Sequence, residues 1–290
     1  MTTNGNAIEV RDLSFAYGNI QAVDGVSFSV AQGEILGFLG PNGAGKSTTI
    51  KMLTGQLLPD AGSISVLGMT MPEQTLDIQA RIGVCFEEKN LYENMSAREN
   101  LDFFARLYGI KKMDFDPFLR RVGLIDRADD RVGSYSKGMR QRLMMTRAMI
   151  NSPDILFLDE PTDGLDPVSS QSVRNVIKAE AERGASVILT THDMHEADQL
   201  SDRVAFINEG RIVALDTAEN LKLEHGQRTV RIRARDGGSG VDERVIRLDE
   251  ANAGDQIRDA VSVEGLMTIH TEEATLEDIF IKLTGRELSA

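Results

Sequence analysis

Cysteine is almost absent from this chain, which has one, Cys85, among 290 residues. A single cysteine excludes a disulfide bond within the chain and is typical of proteins kept in a reducing cytosol. Cys85 lies in the apolar run IGVCF. We therefore interpret it as a core residue rather than as a reactive thiol.

Long apolar runs are absent as well. No segment approaches the ~18 consecutive apolar residues that a membrane-spanning helix requires. The N-terminal segment MTTNGNAIEV lacks the basic and apolar regions of a signal peptide. The sequence therefore predicts a globular protein of the cytoplasm, long enough for one large domain and a small one.

The chain has fewer basic than acidic residues, with 32 lysines and arginines and 45 aspartates and glutamates, which gives a formal net charge of −13. A chain this acidic is not suited to covering nucleic acid, so we predict no nucleic-acid partner. Arg231, Arg233 and Arg235 alternate along a predicted strand and could form a local basic stripe. The acidic residues that follow them favour a solvated strand face instead.

Histidine is too sparse for a convincing zinc site. His192 and His195 lie three residues apart, with acidic residues near them. Neither a cysteine nor a third histidine lies close by in the sequence, so the usual set of zinc ligands is incomplete. We interpret His195 as a solvated helix residue.

Strand-like and helical segments alternate along most of the chain. The runs IEVRDLSFAY, VSFSV, EILGFLG, GSISVLG and RIGVCF are typical of strands, whereas residues 96–150 show helical spacing. The continuous apolar runs ILFLDEP and SVILTTH are typical of buried parallel strands. RVAFI and RIVAL, joined by NEG, are typical of a hairpin. This alternation predicts an α/β fold with a parallel central sheet.

The pattern changes after His225. The runs TVRIRAR, RVIRL and LMTIH predict strands, and TLEDIFIKLTG predicts an amphipathic helix. We expect residues 1–225 to form one domain, with a helical subdomain at about 90–150, and residues 226–290 to form a small C-terminal α+β module.

The segment GPNGAGKST matches the phosphate-loop pattern G-x-x-x-x-G-K-[ST], with an apolar strand before it and a helix after it. Its candidate nucleotide-binding residues are Gly40, Pro41, Asn42, Gly43, Ala44, Gly45, Lys46, Ser47 and Thr48. The glycines allow successive backbone N–H groups to face one anion, and the helix N-terminus favours negative charge. We expect Lys46 to reach the β- and γ-phosphates and the Ser47 hydroxyl to bind Mg²⁺.

Candidate catalytic side chains follow two of the predicted buried strands. We expect Asp159, in ILFLDEPT, to hold the Mg²⁺ shell and Glu160 to polarise an attacking water. His192 ends the run VILTTH, where a parallel strand reaches the ligand-binding edge of a sheet, and it can bind the γ-phosphate. Tyr17 follows the first strand, where an aromatic ring can stack on a base or close a hairpin.

Over residues 7–225 these motifs resemble the nucleotide-binding subunit of an ABC transporter. GPNGAGKST corresponds to the Walker A loop, ILFLDEPT to the Walker B strand with its catalytic Glu160, and His192 to the switch histidine. The resemblance implies a P-loop NTPase of ABC type, with antiparallel β and helical subdomains, that hydrolyses ATP with Mg²⁺. It also implies that Tyr17 stacks on adenine and that Asp166, in DGLDP, is the D-loop aspartate.

The segment SYSKGMRQR lies where this family has its signature turn, usually LSGGQ. The resemblance implies that the turn acts in trans, on ATP bound to a second copy of the chain, in a head-to-tail dimer enclosing two ATP molecules. Its residues would be Ser136, Lys137, Gly138 and Met139. Ser136 is also a good candidate for a helix N-cap, and the N–H groups that follow an N-cap suit an anion.

This turn departs from the family pattern at three positions. Tyr135 replaces the usual leucine, Lys137 replaces a glycine and Met139 replaces the glutamine. Lys137 places a cation near phosphate, whereas Met139 removes a polar side chain. In IGVCFEEKNLY a glutamate replaces the glutamine of the family's Q-loop. Glu87 is the best-aligned position and a candidate for a further Mg²⁺ ligand, and Glu88 is the alternative.

These departures and the segment ATLEDIFIKLTGREL resemble the ATPase subunits of ABC-2-type exporters, which include drug and antibiotic efflux pumps. The resemblance implies a subunit that binds a separate membrane permease at the inner face of the cell membrane and powers export. Two alternatives stay open: a non-transport ABC ATPase of DNA repair or nucleotide regulation, and the subunit of an importer. The absence of sustained heptads disfavours a DNA-repair ATPase, and Glu160 disfavours a regulatory nucleotide sensor. The signature variant and the C-terminal tail disfavour an importer subunit.

Overall fold

The segments predicted from the sequence form two sheets and a cluster of helices in the larger, N-terminal part of the chain. The computed structural model describes residues 5–86, 90–236, 240–263 and 265–285. The strands of this part are β1 (Asn6–Tyr17), β2 (Ile20–Ala31), β3 (Ile35–Leu39), β4 (Ala61–Val66), β5 (Met69–Met71), β6 (Ile82–Cys85), β7 (Ile155–Asp159), β8 (Ser186–Thr191), β9 (Arg203–Asn208) and β10 (Arg211–Asp216). The helices are α1 (Lys46–Leu53), α2 (Thr75–Gln79), α3 (Ala97–Leu107), α4 (Asp116–Arg121), α5 (Lys137–Ala148), α6 (Pro167–Glu182) and α7 (Met194–Leu200).

The central sheet has six strands in the order β10-β9-β3-β8-β7-β6. β3 pairs in parallel with β8 and β9, and β7 pairs in parallel with β8 and β6. Every residue of β3, β7 and β8 is buried. Burial along the whole strand is what a parallel sheet covered on both faces requires. The predicted α/β fold with a parallel sheet is confirmed.

A second sheet has the order β2-β1-β4-β5 and is antiparallel throughout. Its apolar face packs with the central sheet in one core, where the rings of Phe28 and Phe38 meet edge to face at 5.0 Å. The antiparallel subdomain is therefore present. The three-residue strand β5 was not predicted, because MTM is too short to show an alternation.

The segment between β6 and β7 is helical, as expected. α3 begins with a capping box, in which Ser96 Oγ accepts the Glu99 N–H and the Glu99 carboxylate accepts the Ser96 N–H. The buried ring of Tyr135 belongs to the core of this region, and its hydroxyl donates to the Arg127 carbonyl at 2.5 Å. The tyrosine that replaces the family's leucine is therefore a packed core residue with a satisfied hydroxyl.

Cys85 is fully buried in β6, which confirms its predicted place in the core. Burial raises the pKa of its thiol to about 12, because the thiolate would be desolvated. Within the described residues, none of the helices has the length and apolar character of a membrane-spanning segment.

The C-terminal part of the chain is a separate unit. The chain divides into Met1–Leu215 and Asp216–Ala290. The second unit contains α8 (Ala218–His225), β11 (Thr229–Asp236), β12 (Gly240–Arg247), α9 (Ala253–Val261), β13 (Leu266–Glu272) and α10 (Leu276–Thr284). Its sheet has the order β12-β11-β13, and α9 packs on the face formed by Val230, Ile232 and Ile246. The boundary expected after residue 225 differs from this division, because α8 packs on α10 and so groups with the second unit.

The three arginines of β11 lie on the solvated face of this sheet. Arg231 pairs with Glu243 and with Glu272, and Arg233 also pairs with Glu243. These carboxylates neutralise much of the stripe, as the acidic residues near it in the sequence suggested.

Candidate active site

Three neighbouring strands bring the candidate residues to one edge of the central sheet. β8 lies between β3, which precedes the phosphate loop, and β7, which ends at Asp159. Leu39 pairs with Thr191 and Asp159 pairs with Thr190, so the three strands end level with one another. The carboxyl ends of parallel strands form the ligand-binding edge of an α/β sheet.

The phosphate loop wraps a cavity of about 180 Å³. Gly45 has φ +106°, and a Cβ there would overlap the Ala22 carbonyl, so only glycine fits. Lys46 is buried, and its Nζ donates to the Gly40 carbonyl at 2.6 Å across the loop. The cavity is lined by Ala22, Pro41, Asn42, Gly43, Ala44, Gly45, Lys46, Ser47, Thr48 and Glu160. The backbone turn and the start of α1 together suit an anion.

Asp159 and Ser47 form the part of the edge that suits a divalent cation. The Asp159 side chain is buried, and its Oδ1 accepts from Ser47 Oγ at 3.1 Å and from Thr190 Oγ1 at 2.5 Å. A carboxylate and a hydroxyl are hard oxygen ligands of the kind that Mg²⁺ accepts beside phosphate oxygens. These residues therefore fit a bound Mg²⁺.

Glu160 is held in an unusual backbone conformation, with φ +47°. Its N–H donates to the Thr190 carbonyl at 3.2 Å and to Thr190 Oγ1 at 3.0 Å, which secures the turn after β7. Non-glycine residues with positive φ are uncommon and are often found at functional sites. The turn directs the Glu160 carboxylate into the phosphate-loop cavity instead of along the sheet.

The Glu160 carboxylate lies between a lysine and a histidine. Its Oε1 is buried, accepts no hydrogen bond from the described residues and lies 3.4 Å from Lys46 Nζ. Its Oε2 lies 3.0 Å from His192 Nδ1. A buried carboxylate oxygen facing a phosphate-sized cavity can accept a proton from a bound water. The arrangement can therefore support attack of water on a bound phosphate.

No sequence pattern singles out a buried glutamate that contacts side chains at this edge of the central sheet. Glu196, on α7, accepts a hydrogen bond from Thr162 Oγ1 at 2.5 Å and interacts with the Thr191 side chain. Burial raises its pKa. Thr162 lies two residues after Glu160 and Thr191 directly precedes His192, so Glu196 links the two loops that carry Glu160 and His192. The only signal in the sequence was its place four residues after His192.

The signature turn starts α5 as predicted. Ser136 is the N-cap and its Oγ accepts the Met139 N–H at 3.2 Å. Ser136 and Lys137 are exposed, whereas Met139 is partly buried against the core around α3 and α5. Among the described residues, none of this turn lines the phosphate-loop cavity of its own chain.

The segment DGLDP connects the Glu160 turn with α6. Asp166 is the N-cap of α6 and accepts N–H groups of Val168 and Ser169. Hydrogen bonds from Ser169 and Val168 lower the pKa of the Asp166 carboxyl. Gly138 of α5 packs directly on Ser169, where a Cβ would overlap the hydroxyl. The starts of α5 and α6 are therefore in close contact.

Tyr17 is a described site residue that lies apart from this cluster. Tyr17 ends β1, is half exposed and contacts Phe15 edge to face at 4.8 Å. It is not among the described residues that line the phosphate-loop cavity. Glu87 lies outside the described residues.

Comparison with known proteins identifies the family. A model of the ABC transporter family matches residues 23–163. A fluoroquinolones export ATP-binding protein of Mycobacterium tuberculosis is 44% identical over 97% of this chain and 94% of its own length. The chain belongs to the ABC transporter family. Nod factor export ATP-binding protein I of Burkholderia orbicola is another relative, 37% identical over 97% of this chain and 98% of its own length.

Solved structures agree with the assignment to the ABC family. An ATP-binding subunit of an ABC transporter superposes with a TM-score of 0.69 at 31% identity, over 75% of this chain and 92% of its own. A dimeric ATP-binding cassette with ADP and phosphate bound superposes with a TM-score of 0.66 at 23% identity, over 72% and 98%, and shows the same fold. This ABC protein is an ATPase subunit of the exporter type.

Proposed function

We propose that two copies of the chain close head to tail around two ATP molecules and that hydrolysis reopens them to drive export through a membrane permease. The observation that carries the proposal is that the signature turn and the phosphate-loop cavity are separate within one chain. Ser136 caps an exposed helix start that suits an anion, yet the described signature residues do not line the phosphate-loop cavity of their own chain. In the proposed dimer, the ATP bound by the second copy supplies the phosphate that this helix start contacts.

In this proposal the phosphate loop binds the triphosphate through its N–H groups and Lys46. Mg²⁺, when bound by Ser47 and Asp159, neutralises part of the phosphate charge. Glu160 orients the attacking water and accepts its proton, while His192 holds Glu160 through Nδ1 and faces the γ-phosphate. Phosphoryl transfer to water of this kind depends mainly on positioning and charge stabilisation.

Tyr17 is proposed to stack on adenine, because it is half exposed at the end of β1. Replacing it with alanine should weaken ATP binding about tenfold, since stacking on an aromatic ring contributes about 1–3 kcal/mol per base. Tyr17→Phe keeps the ring and should bind ATP like the parent. Titration with a fluorescent ATP analogue measures both, and equal affinity of the alanine and phenylalanine variants would remove Tyr17 from the site.

A groove of about 480 Å³, which shares no lining residue with the phosphate-loop cavity, suits the permease. It is lined by Leu76, Gln79, Ala80, Leu107, Tyr108, Ile110 and Asn151. Leu76 is 81% exposed and Leu107 is 68% exposed. Contiguous exposed apolar surface commonly marks a site of protein contact. We propose that the permease docks here and holds the subunit at the inner face of the cell membrane.

The relatives named for export suggest fluoroquinolones as the first substrates to test. Cells that express the chain with a candidate membrane permease should accumulate less fluoroquinolone than cells that express the Glu160→Gln variant with the same permease. Accumulation is read from the intrinsic fluorescence of the drug. Equal drug levels in the two strains would refute fluoroquinolone export.

Copurification from the same cells tests the permease partner separately. The parent chain should copurify with the membrane protein, and Leu107→Lys should not, because a charge in the groove opposes apolar contact. Leu223→Lys is a matched control on the second unit, since Leu223 is also an exposed leucine on a helix. Retention of the Leu107→Lys variant would show that the permease binds elsewhere.

A further inference from the structure

A buried glutamate outside the phosphate-loop cavity faces both loops that carry the candidate catalytic residues. Glu196, in the first turn of α7, is 2% exposed and is not among the described residues that line the cavity. Its Oε1 accepts the Thr162 hydroxyl at 2.5 Å, and the Thr191 hydroxyl also donates to the carboxylate. A carboxylate this deeply buried is costly unless its hydrogen bonds are made, so both hydroxyls matter to it.

The same contacts fix the backbone on both sides of His192. Thr191 directly precedes His192 and Asp193 directly follows it. The Asp193 N–H donates to Thr191 Oγ1 at 3.0 Å, and Asp193 Oδ1 accepts the Glu196 N–H at 3.1 Å. The two neighbours of His192 therefore belong to one hydrogen-bonded network centred on Glu196.

The imidazole of His192 depends on this support. Its side chain is 49% exposed, so packing holds it weakly, yet its Nδ1 lies 3.0 Å from Glu160 Oε2. Glu160 is held independently, because its N–H donates to the carbonyl and the hydroxyl of Thr190. The loop that remains to be placed is the one that carries His192, and Glu196 joins that loop to Thr162 beside the Glu160 turn.

The network requires a carboxylate at position 196. An ionised carboxylate has two acceptor oxygens, whereas an amide has one acceptor oxygen and an NH₂ donor. Burial raises the pKa of the Glu196 carboxyl, while hydrogen bonds from the two threonines and the charge of Arg174 on α6 lower it, and Asp193 raises it. Glu196→Gln would keep the size of the side chain but could accept from only one of the two hydroxyls.

We propose that Glu196 is a positioning residue that holds His192 at hydrogen-bonding distance from Glu160. The inference rests on the proposed function, in which Glu160 accepts the proton of the attacking water and His192 holds Glu160 and faces the γ-phosphate. Glu196 acts through the backbone on either side of His192 and lies outside the nucleotide cavity. It should therefore affect the rate of hydrolysis and not the binding of ATP.

The experiment measures ATPase rate against ATP concentration for the full chain. Glu196→Gln should lower kcat about tenfold and leave the half-saturating ATP concentration within about twofold, because a catalytic group displaced by about 1 Å can lose about a hundredfold and one of the two hydrogen bonds remains. Thr162→Val should behave in the same way. Thr162→Ser retains the hydroxyl and should keep at least about half of the parental kcat.

A second buried glutamate controls for loss of stability. Glu180, on α6, is also 2% exposed and pairs with Arg121 and Arg183. Glu180→Gln should lower the melting temperature at least as much as Glu196→Gln does, yet keep kcat within about twofold of the parent's. An equal loss of kcat in the two variants would overturn the inference, because the loss would then follow from destabilisation alone.

A double variant tests whether Glu196 acts through His192. His192→Ala alone should lower kcat about a hundredfold, comparable to the loss of a donor to a developing anion. Adding Glu196→Gln should lower kcat less than about twofold further, because the contact that Glu196 maintains is already gone. A further tenfold loss in the double variant, or parental kcat in Glu196→Gln alone, would overturn the inference.

The His192→Ala chain also separates this inference from the proposed function. If His192→Ala loses turnover and Glu196→Gln does not, only the role of Glu196 fails. If His192→Ala hydrolyses ATP at the parental rate, the role of His192 in the proposed function fails, and the inference fails with it.

Discussion

Replacing Glu160 with glutamine should lower ATP turnover about a thousandfold, the middle of the range for loss of a general base. The amide side chain would fill the same space at the cavity wall but could not accept a proton from water. ATP binding should persist, because the triphosphate is held mainly by the phosphate loop and Lys46. The chain with ATP bound should therefore remain in the closed dimer.

Phosphate release measures turnover, a binding titration measures the affinity for ATP, and light scattering detects the dimer. Glu182→Gln is a matched control, since Glu182 is an exposed acid at the end of α6. It should behave like the parent in all three assays. Turnover at the parental rate in Glu160→Gln would remove this residue from the catalytic role, whatever its effect on dimerisation.

The second large effect is expected at Ser136. Ser136→Asp retains an N-cap for α5, because aspartate accepts the same backbone N–H as serine. It also places a negative charge where the proposed dimer holds a triphosphate. We expect turnover to fall about a hundredfold, comparable to the loss of a donor to a developing anion. The melting temperature should stay within a few degrees of the parent's.

Ser136→Asn is the control that separates charge from capping. Asparagine caps helices as well as aspartate does but is neutral. It should retain most of the turnover. If the aspartate and asparagine variants were equally active, the signature turn would not approach phosphate, and the assignment of Ser136 to an ATP site would be wrong.

The central strands and the phosphate loop could be predicted because their signals are local. ILFLDEPT and SVILTTH are continuous apolar runs, and both form fully buried parallel strands. The N-cap at Ser136 was predictable for the same reason, since the cap and the helix it starts are adjacent in the sequence. α8 and α9 were missed because they are short helices near or beyond the change of pattern at residue 225.

The polar contacts around the candidate catalytic residues could not be predicted, because they join distant segments. Thr190 is one polar residue in an apolar run, yet its side chain contacts both Asp159 and Glu160. Glu196 resembles a solvated acid in the sequence. Its contacts depend on which loops lie beside it, and that is fixed by the order of strands in the sheet and not by any local pattern.

The central claim is that each ATP site is built from the phosphate loop of one copy and the signature turn of the other. Mixing two inactive chains tests it most directly. Lys46→Ala damages the phosphate loop and Ser136→Asp damages the signature turn, so each homodimer has two damaged sites. In a mixed dimer both changes fall in one site, and the other site is intact.

The measurement is the ATPase rate of the mixture beside the rate of each variant alone at the same total concentration. The account predicts that mixing raises the rate several-fold above either variant, to at most about a quarter of the parental rate, since about half the dimers are mixed and each has one intact site. A mixture no more active than its components would contradict a site shared between two copies.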